Sequence, residues 1–359
     1  MSYDAVMQSA DPVKPTVAIT MGDPCGIGAE IIVKALADES LRRRARFVIY
    51  GMNEQLAYAA DLAEVEPFWW RMQHDAEPTE KWQGGGALVL DYDEFSLLES
   101  AMISRHPAAT KEGGLASYTF VEDAISDAKL KPDDPRHVDA IVTAPICKES
   151  WRLAGKKWPG HTELLARRFN VKRSAMMFVS PHLRVVLVTI HVPLMELRNL
   201  ITIGRIFDPI DLGHQACLDM GIKRPRIAVC GLNPHASEGG LFGDEEERLI
   251  TPAIELARRH GMIVDGPFPA DTIFGAAVRG KYDLVVAMYH DQGLIPVKLL
   301  AWDSAVNTTL GLPVVRTSPD HGTAFDIAGK GTANPGSMKS AIELAVEMAV
   351  SRLRNMRGY

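Results

Sequence analysis

Three of the eleven histidines stand at comparable places: His191 closes "VVLVTIH", His235 ends "RIAVCGLNPH" and His290 follows "DLVVAMY". Each comes just after a short apolar run that reads as a buried strand. Three neutral imidazoles meeting at one point, with a coordination position left open, make a catalytic divalent-metal site. Taken alone, each reads first as a hydrogen-bonded strand end, and the sequence does not say whether the three strands are neighbours. Asp291, beside His290, and Asp271 in "FPADTIF" are candidates to hold ligand imidazoles in one tautomer. Asp271 on its own reads as the N-cap of a helix that starts at Thr-Ile-Phe.

A second group has the chemistry of an anion site. Lys298, Asn307 and Arg316 follow the third histidine, and offer a point charge, a neutral donor-acceptor and a fork of donors. His161 and Thr162 in "WPGHTELLA" open a helix after a Pro-Gly turn, where an anion is favoured. Lys148, after "IVTAPIC", could face the same space. Each of these alone also reads as a solvated charge or a cap.

To bring such residues together the chain needs a sheet whose strand ends share one side, since ligands of open parallel sheets sit beyond the carboxyl ends of strands. Apolar runs at 16–20, 46–50, 140–143, 185–190, 226–230 and 284–288 alternate with helical patterns at 27–36, 116–128, 245–260 and 337–352. That alternation predicts an α/β fold around a largely parallel sheet. The stretch 66–83, with Trp69, Trp70 and Trp82, reads as irregular. Two glycine-rich loops punctuate the pattern. "MGDPCGIGAE" carries Gly22, Gly26 and Gly28 at spacings that miss the dinucleotide fingerprint, and "DHGTAFDIAGKGTANPGS" carries Gly322, Gly329, Gly331 and Gly336.

With 359 residues the chain can build two lobes, and its net charge of −6 without a basic block argues against nucleic acid and anionic membranes as partners. No apolar run approaches the ~20 residues of a membrane span. Residues 1–14 read as a flexible polar tail without signal-peptide character, and the four cysteines lack C-x-x-C spacing, so a reduced, cytoplasmic setting is expected.

"HGTAFDIAGKGTANPGS" is similar to the nucleotide loop of the isocitrate and isopropylmalate dehydrogenase superfamily, and "MGDPCGIGAE" resembles that superfamily's N-terminal glycine turn. Within that fold, "GHTELL", "TIHVPL", "CGLNPHASEGG", "PADTIF", "YHDQGLIPVK" and "VNTTLGLPVVRTSPDHGTA" together resemble the 4-hydroxythreonine-4-phosphate dehydrogenase family, from about Pro15 to the C-terminus. The resemblance implies metal ligands at His191, His235 and His290, substrate contacts at His161, Thr162, Lys298, Asn307 and Arg316, and catalytic support from Asp271, Asp291 and Lys298. It implies cofactor contacts at Gly322, Thr323, Asp326 and Asn334, with NAD or NADP and one divalent ion (zinc, magnesium or cobalt). It further implies two α/β/α subdomains, 15–150 plus 305–359 on the nucleotide side and 151–304 on the metal side, and a homodimer whose active site is shared between subunits.

The implied reaction is oxidation of 4-phosphooxy-L-threonine to 2-amino-3-oxo-4-phosphooxybutanoate, which decarboxylates to 3-amino-2-oxopropyl phosphate, in pyridoxal 5'-phosphate biosynthesis. Relatives of the same kind act on D-threonate or D-erythronate 4-phosphate or on aromatic cis-dihydrodiols, and phosphate acyltransferases share a related fold. The sequence departs from many relatives at Asp23-Pro24-Cys25 and in the longer Phe68–Gly86 region.

Overall fold

The computed structural model describes residues 14–98 and 108–357, so the expected tail at 1–14 lies, but for Lys14, outside the described residues. Twelve strands form one sheet: β1 (Thr16–Thr20), β2 (Arg46–Gly51), β3 (Trp69–Gln73), β4 (Ala87–Asp91), β5 (Ala140–Thr143), β6 (Ala175–Val179), β7 (Arg184–Leu187), β8 (Arg226–Cys230), β9 (Ile263–Phe268), β10 (Leu284–Ala287), β11 (Val306–Leu310) and β12 (Val315–Pro319). Their order is β3-β4-β2-β1-β5-β12-β11-β6-β7-β10-β8-β9. The first six of these strands are parallel, and so are the last four. Between them β11 runs antiparallel to both β12 and β6, and β6 antiparallel to β7. Three reversals separate the two parallel blocks, so their strands point in opposite directions. The sheet is α/β as expected, but it has two carboxyl edges and an antiparallel seam in the middle.

Helices cover both faces. The Lys111–Ala128 helix lies over the face that carries Tyr50, whose hydroxyl donates to Asp127 at 2.6 Å. The Gly336–Arg357 helix lies on the other face, where Thr317 Oγ1 donates to the Ala341 carbonyl at 2.8 Å. Strand residues such as Val17, Ile19, Ile141, Val142, Val185 and Val286 are fully buried between the layers. Each such side chain contributes roughly 1.5–3 kcal/mol of burial free energy. All four cysteines are free. No helix among the described residues is long and apolar enough to cross a membrane.

Three expectations change. The stretch 66–83 is not irregular throughout: β3 runs through it as the sheet's edge strand. Its pattern was hard to read because an edge strand leaves Trp70 64% exposed and sets Arg71 on Asp91 and Asp93 rather than in the core. The helix expected from Ala116 starts at Lys111, because Thr110 caps it by accepting from Gly113 N at 3.0 Å. Within its first turns a Cβ at Gly114 would stand 1.9 Å from the Ser150 carbonyl oxygen. The glycine is there for close helix packing. Asp271, finally, is not a cap: the helix is Ala270–Val278, Pro269 precedes it, and no side chain caps its start.

Candidate active site

The seam of the sheet carries a cleft of about 280 Å³ lined by Thr143, Lys148, His161, Thr162, Asn307 and Arg316 among others. Antiparallel register explains the grouping. Asn307 lies opposite Ser318 and Phe178, and Thr309 opposite Met176, so Asn307, Thr309, Arg316 and Ser318 project from one face. Of the anion candidates, Asn307 and Arg316 therefore stand within strands on the sheet face rather than beyond a carboxyl end.

Arg316 is 3% exposed, and among the described residues it has no carboxylate within ion-pairing distance. Its guanidinium donates to Thr309 Oγ1 at 3.0 Å and to Thr143 Oγ1 at 2.7 Å, while Nε is buried without a partner. Burial pulls its pKa down to about 10, with the Glu163 carboxylate opposing weakly, so the side chain remains a cation at neutral pH. A buried charge with no counter-ion is costly unless something charged completes it. Beside it, His161 Nε2 and Asn307 Oδ1 are also sealed from solvent and unpartnered. Burial, then the Arg316 and Lys148 charges, hold the His161 imidazole well below its usual pKa, hence neutral. Thr162 Oγ1 sits 3.4 Å from Thr309 Oγ1. His161 and Thr162 open the His161–Arg168 helix behind Gly160, as the sequence predicts.

Lys298 stands apart from the lining. From the His290–Ala301 helix its Nζ reaches Asp320 Oδ2 at 2.6 Å, and Asp320 borders the cleft. The sequence reading missed Asp320, Glu163, Thr143 and Thr309, which looked like ordinary polar residues of a turn, a helix and two strands.

The three histidines follow β7, β8 and β10, and these strands are neighbours in the order β7-β10-β8. Thr189 Oγ1 donates to the Met288 carbonyl at 2.8 Å and ties the chain after β7 to that after β10. Gln292, unremarked in the sequence, accepts from Met288 N at 2.6 Å and donates to the Gly231 carbonyl at 2.8 Å, joining β10 to β8. The rings of His191 and His290 come within 5.7 Å, centroid to centroid. His290 Nδ1 meets Asp291 Oδ1 at 2.7 Å, the tautomer-holding contact that leaves Nε2 bare. Burial and the neighbouring Lys148 and His290 lower the pKa of His191.

His235 does not join them within one chain. Its turn runs with positive φ through His235, Ala236, Ser237 and Glu238, and buried Glu246 fixes the preceding residues by accepting from Leu232 N and Asn233 N. The imidazole is 64% exposed and contacts Glu238 at 2.9 Å. That carboxylate, with a smaller contribution from Asp271, raises its pKa. Among the described residues no three His, Cys, Asp or Glu side chains gather closely enough to hold an ion. Asp271 is exposed on the His235 side of the lobe.

The two glycine loops meet. They follow β1 and β12, which flank β5, so they emerge at one carboxyl edge. Ile27 N donates to the Thr323 carbonyl at 3.0 Å, and Asp23 N to the Pro145 carbonyl at 2.9 Å. Gly22 has φ +76°, and a Cβ there would stand 2.2 Å from the Pro145 oxygen, so only glycine fits. Gly322 borders the cleft, Asp326 is exposed, and Asn334 Oδ1 accepts from Gly336 N at 2.8 Å at the start of the last helix.

Comparison with known proteins follows the same lines. Residues 43–345 match the family described as "Pyridoxal phosphate biosynthetic protein PdxA". A 4-hydroxythreonine-4-phosphate dehydrogenase of Geobacter metallireducens is 45% identical, over 94% of this chain and 96% of that protein. A D-threonate 4-phosphate dehydrogenase of Cupriavidus necator is 44% identical, over 94% of this chain and 98% of that protein. The crystal structure of a 4-hydroxythreonine-4-phosphate dehydrogenase from Klebsiella pneumoniae superposes with a TM-score of 0.79 at 39% identity, covering 95% of this chain and 99% of that one.

Proposed function

Because the chain belongs to the pyridoxal phosphate biosynthetic protein PdxA family, we propose that it oxidises the secondary alcohol of a small 4-phosphorylated hydroxy acid, with 4-phosphooxy-L-threonine as its first substrate. One observation carries this reading: the buried Arg316 cation, its Nε unpartnered, faces a cleft beside the unpartnered His161 Nε2 and Asn307 Oδ1. A phosphate would supply the missing charge and accept from Arg316 and from a His161 imidazole protonated on Nε2.

Two imidazole donors for a divalent ion stand together within one chain. His191 and His290 face one another, and Asp291 orients the latter. His235 would complete the set across a subunit interface. In support of a homodimer, Leu194, Met195, Leu299 and Trp302 expose large apolar surface near these histidines in sequence. The nucleotide would lie on the lobe built from 15–150 and 305–359, along Gly322, Thr323, Asp326 and Asn334, with the ion on 151–304. Bound there, the ion would polarise the alcohol and the nicotinamide would accept hydride from its carbon.

The chain's own residues do the rest. Arg316 and His161 anchor the phosphate, Asn307 would donate to it through its Nδ2 amide, and Thr162 closes that end. The anchoring leaves one carbon free to approach the cofactor. Asp320 borders the same cleft with Lys298 Nζ 2.6 Å from its carboxylate, and it would take the alcohol proton while Lys298 steadies the charge. The product, a β-keto acid, loses carbon dioxide to give 3-amino-2-oxopropyl phosphate.

D-threonate 4-phosphate is the second reading, because a relative named for that activity is 44% identical, one point below the first. NADH or NADPH formation with each 4-phosphate, in a common divalent-ion buffer, tests both. Turnover of the amino substrate at least about tenfold above the hydroxy one supports the first reading, and the reverse supports the second. Failure with both would overturn the assignment.

A further inference from the structure

Glu30 and Lys34 sit one turn apart on the Gly28–Leu36 helix and are used by nothing described above. Glu30 is 4% exposed, an unusual place for a carboxylate. Its Oε1 takes Lys34 Nζ at 2.7 Å and also the backbone N of Ala333 at 2.7 Å. Lys34 Nζ then donates to the carbonyls of Gly331 at 2.8 Å and Ala333 at 3.0 Å. All three ammonium protons are thus committed, two of them to backbone nearly 300 residues away in sequence.

The segment held in this way is neither helix nor strand, so no ladder fixes it. Gly331 has φ +69°, and a Cβ there would stand 3.1 Å from the Leu62 carbonyl oxygen. Ala333 is buried, while Thr332 and Asn334 face outward. The same N-terminal unit grips the loop's other end through Ile27 N and the Thr323 carbonyl. Between these two fastenings, 324–330 makes only short turns, Ile327 N to Ala324 and Lys330 N to Ile327. A buried ion pair roughly breaks even against an apolar pair of the same size, so bulk stability does not explain one here. Directional bonds to two backbone residues do.

We infer that Glu30 and Lys34 form a positioning clamp that sets the shape of the 320–336 loop for the nicotinamide dinucleotide. The inference rests on the reading of that loop as the cofactor loop. Both side chains spend their bonds on one another and on this backbone, so their role is indirect. They act through Gly331 and Ala333, whose flanking residues Thr332 and Asn334 are left presented to the ligand.

The test uses the full chain with its divalent ion. NADH and NADPH affinities are titrated by fluorescence for the wild type, Lys34→Met, Lys34→Arg and Glu30→Gln, and steady-state constants are measured beside them. Lys34→Met should weaken dinucleotide binding, and raise its KM, by about tenfold or more. The KM for the phosphorylated substrate should not move, and kcat at saturating cofactor should change less than about twofold. Lys34→Arg, which keeps the charge and can reach the same carbonyls, should recover most of the loss. In Glu30→Gln the Ala333 amide should exchange hydrogen faster than in the wild type. Unchanged dinucleotide affinity in Lys34→Met would overturn the clamp, even if thermal stability falls. Asp326→Ala and Asn334→Ala separate the two layers of the argument. If they weaken dinucleotide binding and Lys34→Met does not, only the clamp fails. If they leave it untouched while the wild type binds, the cofactor loop and the clamp both fail.

Discussion

Replacing Arg316 by methionine should make the anion-free protein more stable while abolishing its hold on phosphate. The guanidinium is buried without an ion-pair partner among the described residues, and burial takes its pKa down to about 10 against a weaker pull from Glu163. A depression of that size corresponds to a cost of about 3 kcal/mol for keeping the charge. Methionine removes the cost and forfeits the bonds to Thr309 and Thr143, worth about 1 kcal/mol each. The net gain is about 1 kcal/mol, read as a higher urea midpoint in a phosphate- and sulfate-free buffer. Wild-type protein should gain about 2.7 kcal/mol when phosphate or substrate is present at a hundred times its Kd, and the variant should gain nothing. Its kcat/KM for a 4-phosphorylated substrate should fall by about a hundredfold or more, since about 3 kcal/mol of charge-assisted bonding is lost. A variant that is less stable than wild type without anions, and is stabilised by phosphate equally well, would show that Arg316 braces the sheet instead of receiving an anion.

Other outcomes follow from the same geometry. Asp291→Asn should weaken divalent-ion affinity by about 10- to 100-fold, measured by competition with a chelator, while the fold is retained. Raising the pH through about 10 should discharge Arg316. Phosphate affinity should then weaken by about tenfold per pH unit above that point. Global stability should move the other way, because the unfolded arginine keeps its proton to higher pH and the burial cost fades as the folded one loses it. Mixing His161→Ala with His235→Ala protein, each inactive alone, should restore part of the activity if the site is shared between subunits. If the chain forms the proposed dimer through this face, Met195→Glu together with Leu299→Asp should shift it to monomer in light scattering and remove turnover, as both side chains are more than four-fifths exposed in the single chain.

Much of this was legible before any coordinate. The strands β1, β5 and β8 coincide with the expected runs, because fully buried parallel strands are plain apolar stretches between turn residues. Adjacency of β7, β10 and β8 was not legible, since neighbours in a sheet need not be neighbours in sequence. The seam was equally hidden: "VNTTL" and "VRTSP" carry polar residues for the cleft, and so lack the apolar signature that marks the other central strands. The glycine loops could be seen as loops, but nothing in the local pattern distinguishes Glu30 and Lys34 from any solvated i, i+4 pair on a helix surface. Their burial depends on a segment 300 residues on, which local pattern cannot reveal. His235 was expected with the other two histidines, and its separation in one chain follows from the left-handed turn that carries it.

Arg316 is both the proposed anchor of the substrate and part of the middle layer of the sheet, packed between Thr143 and Thr309 on adjacent strands. Such a residue cannot drift under selection the way a rim residue can, since any substitution must also refill the space between β5 and β11. Lys148 and Glu163 stand on helix starts around the mouth and are free of that constraint. Descendants of this chain would therefore explore new hydroxy acids by changing the mouth while retaining an acidic handle on the molecule. Diversification along this lineage would be confined to the part of the substrate farthest from the phosphate.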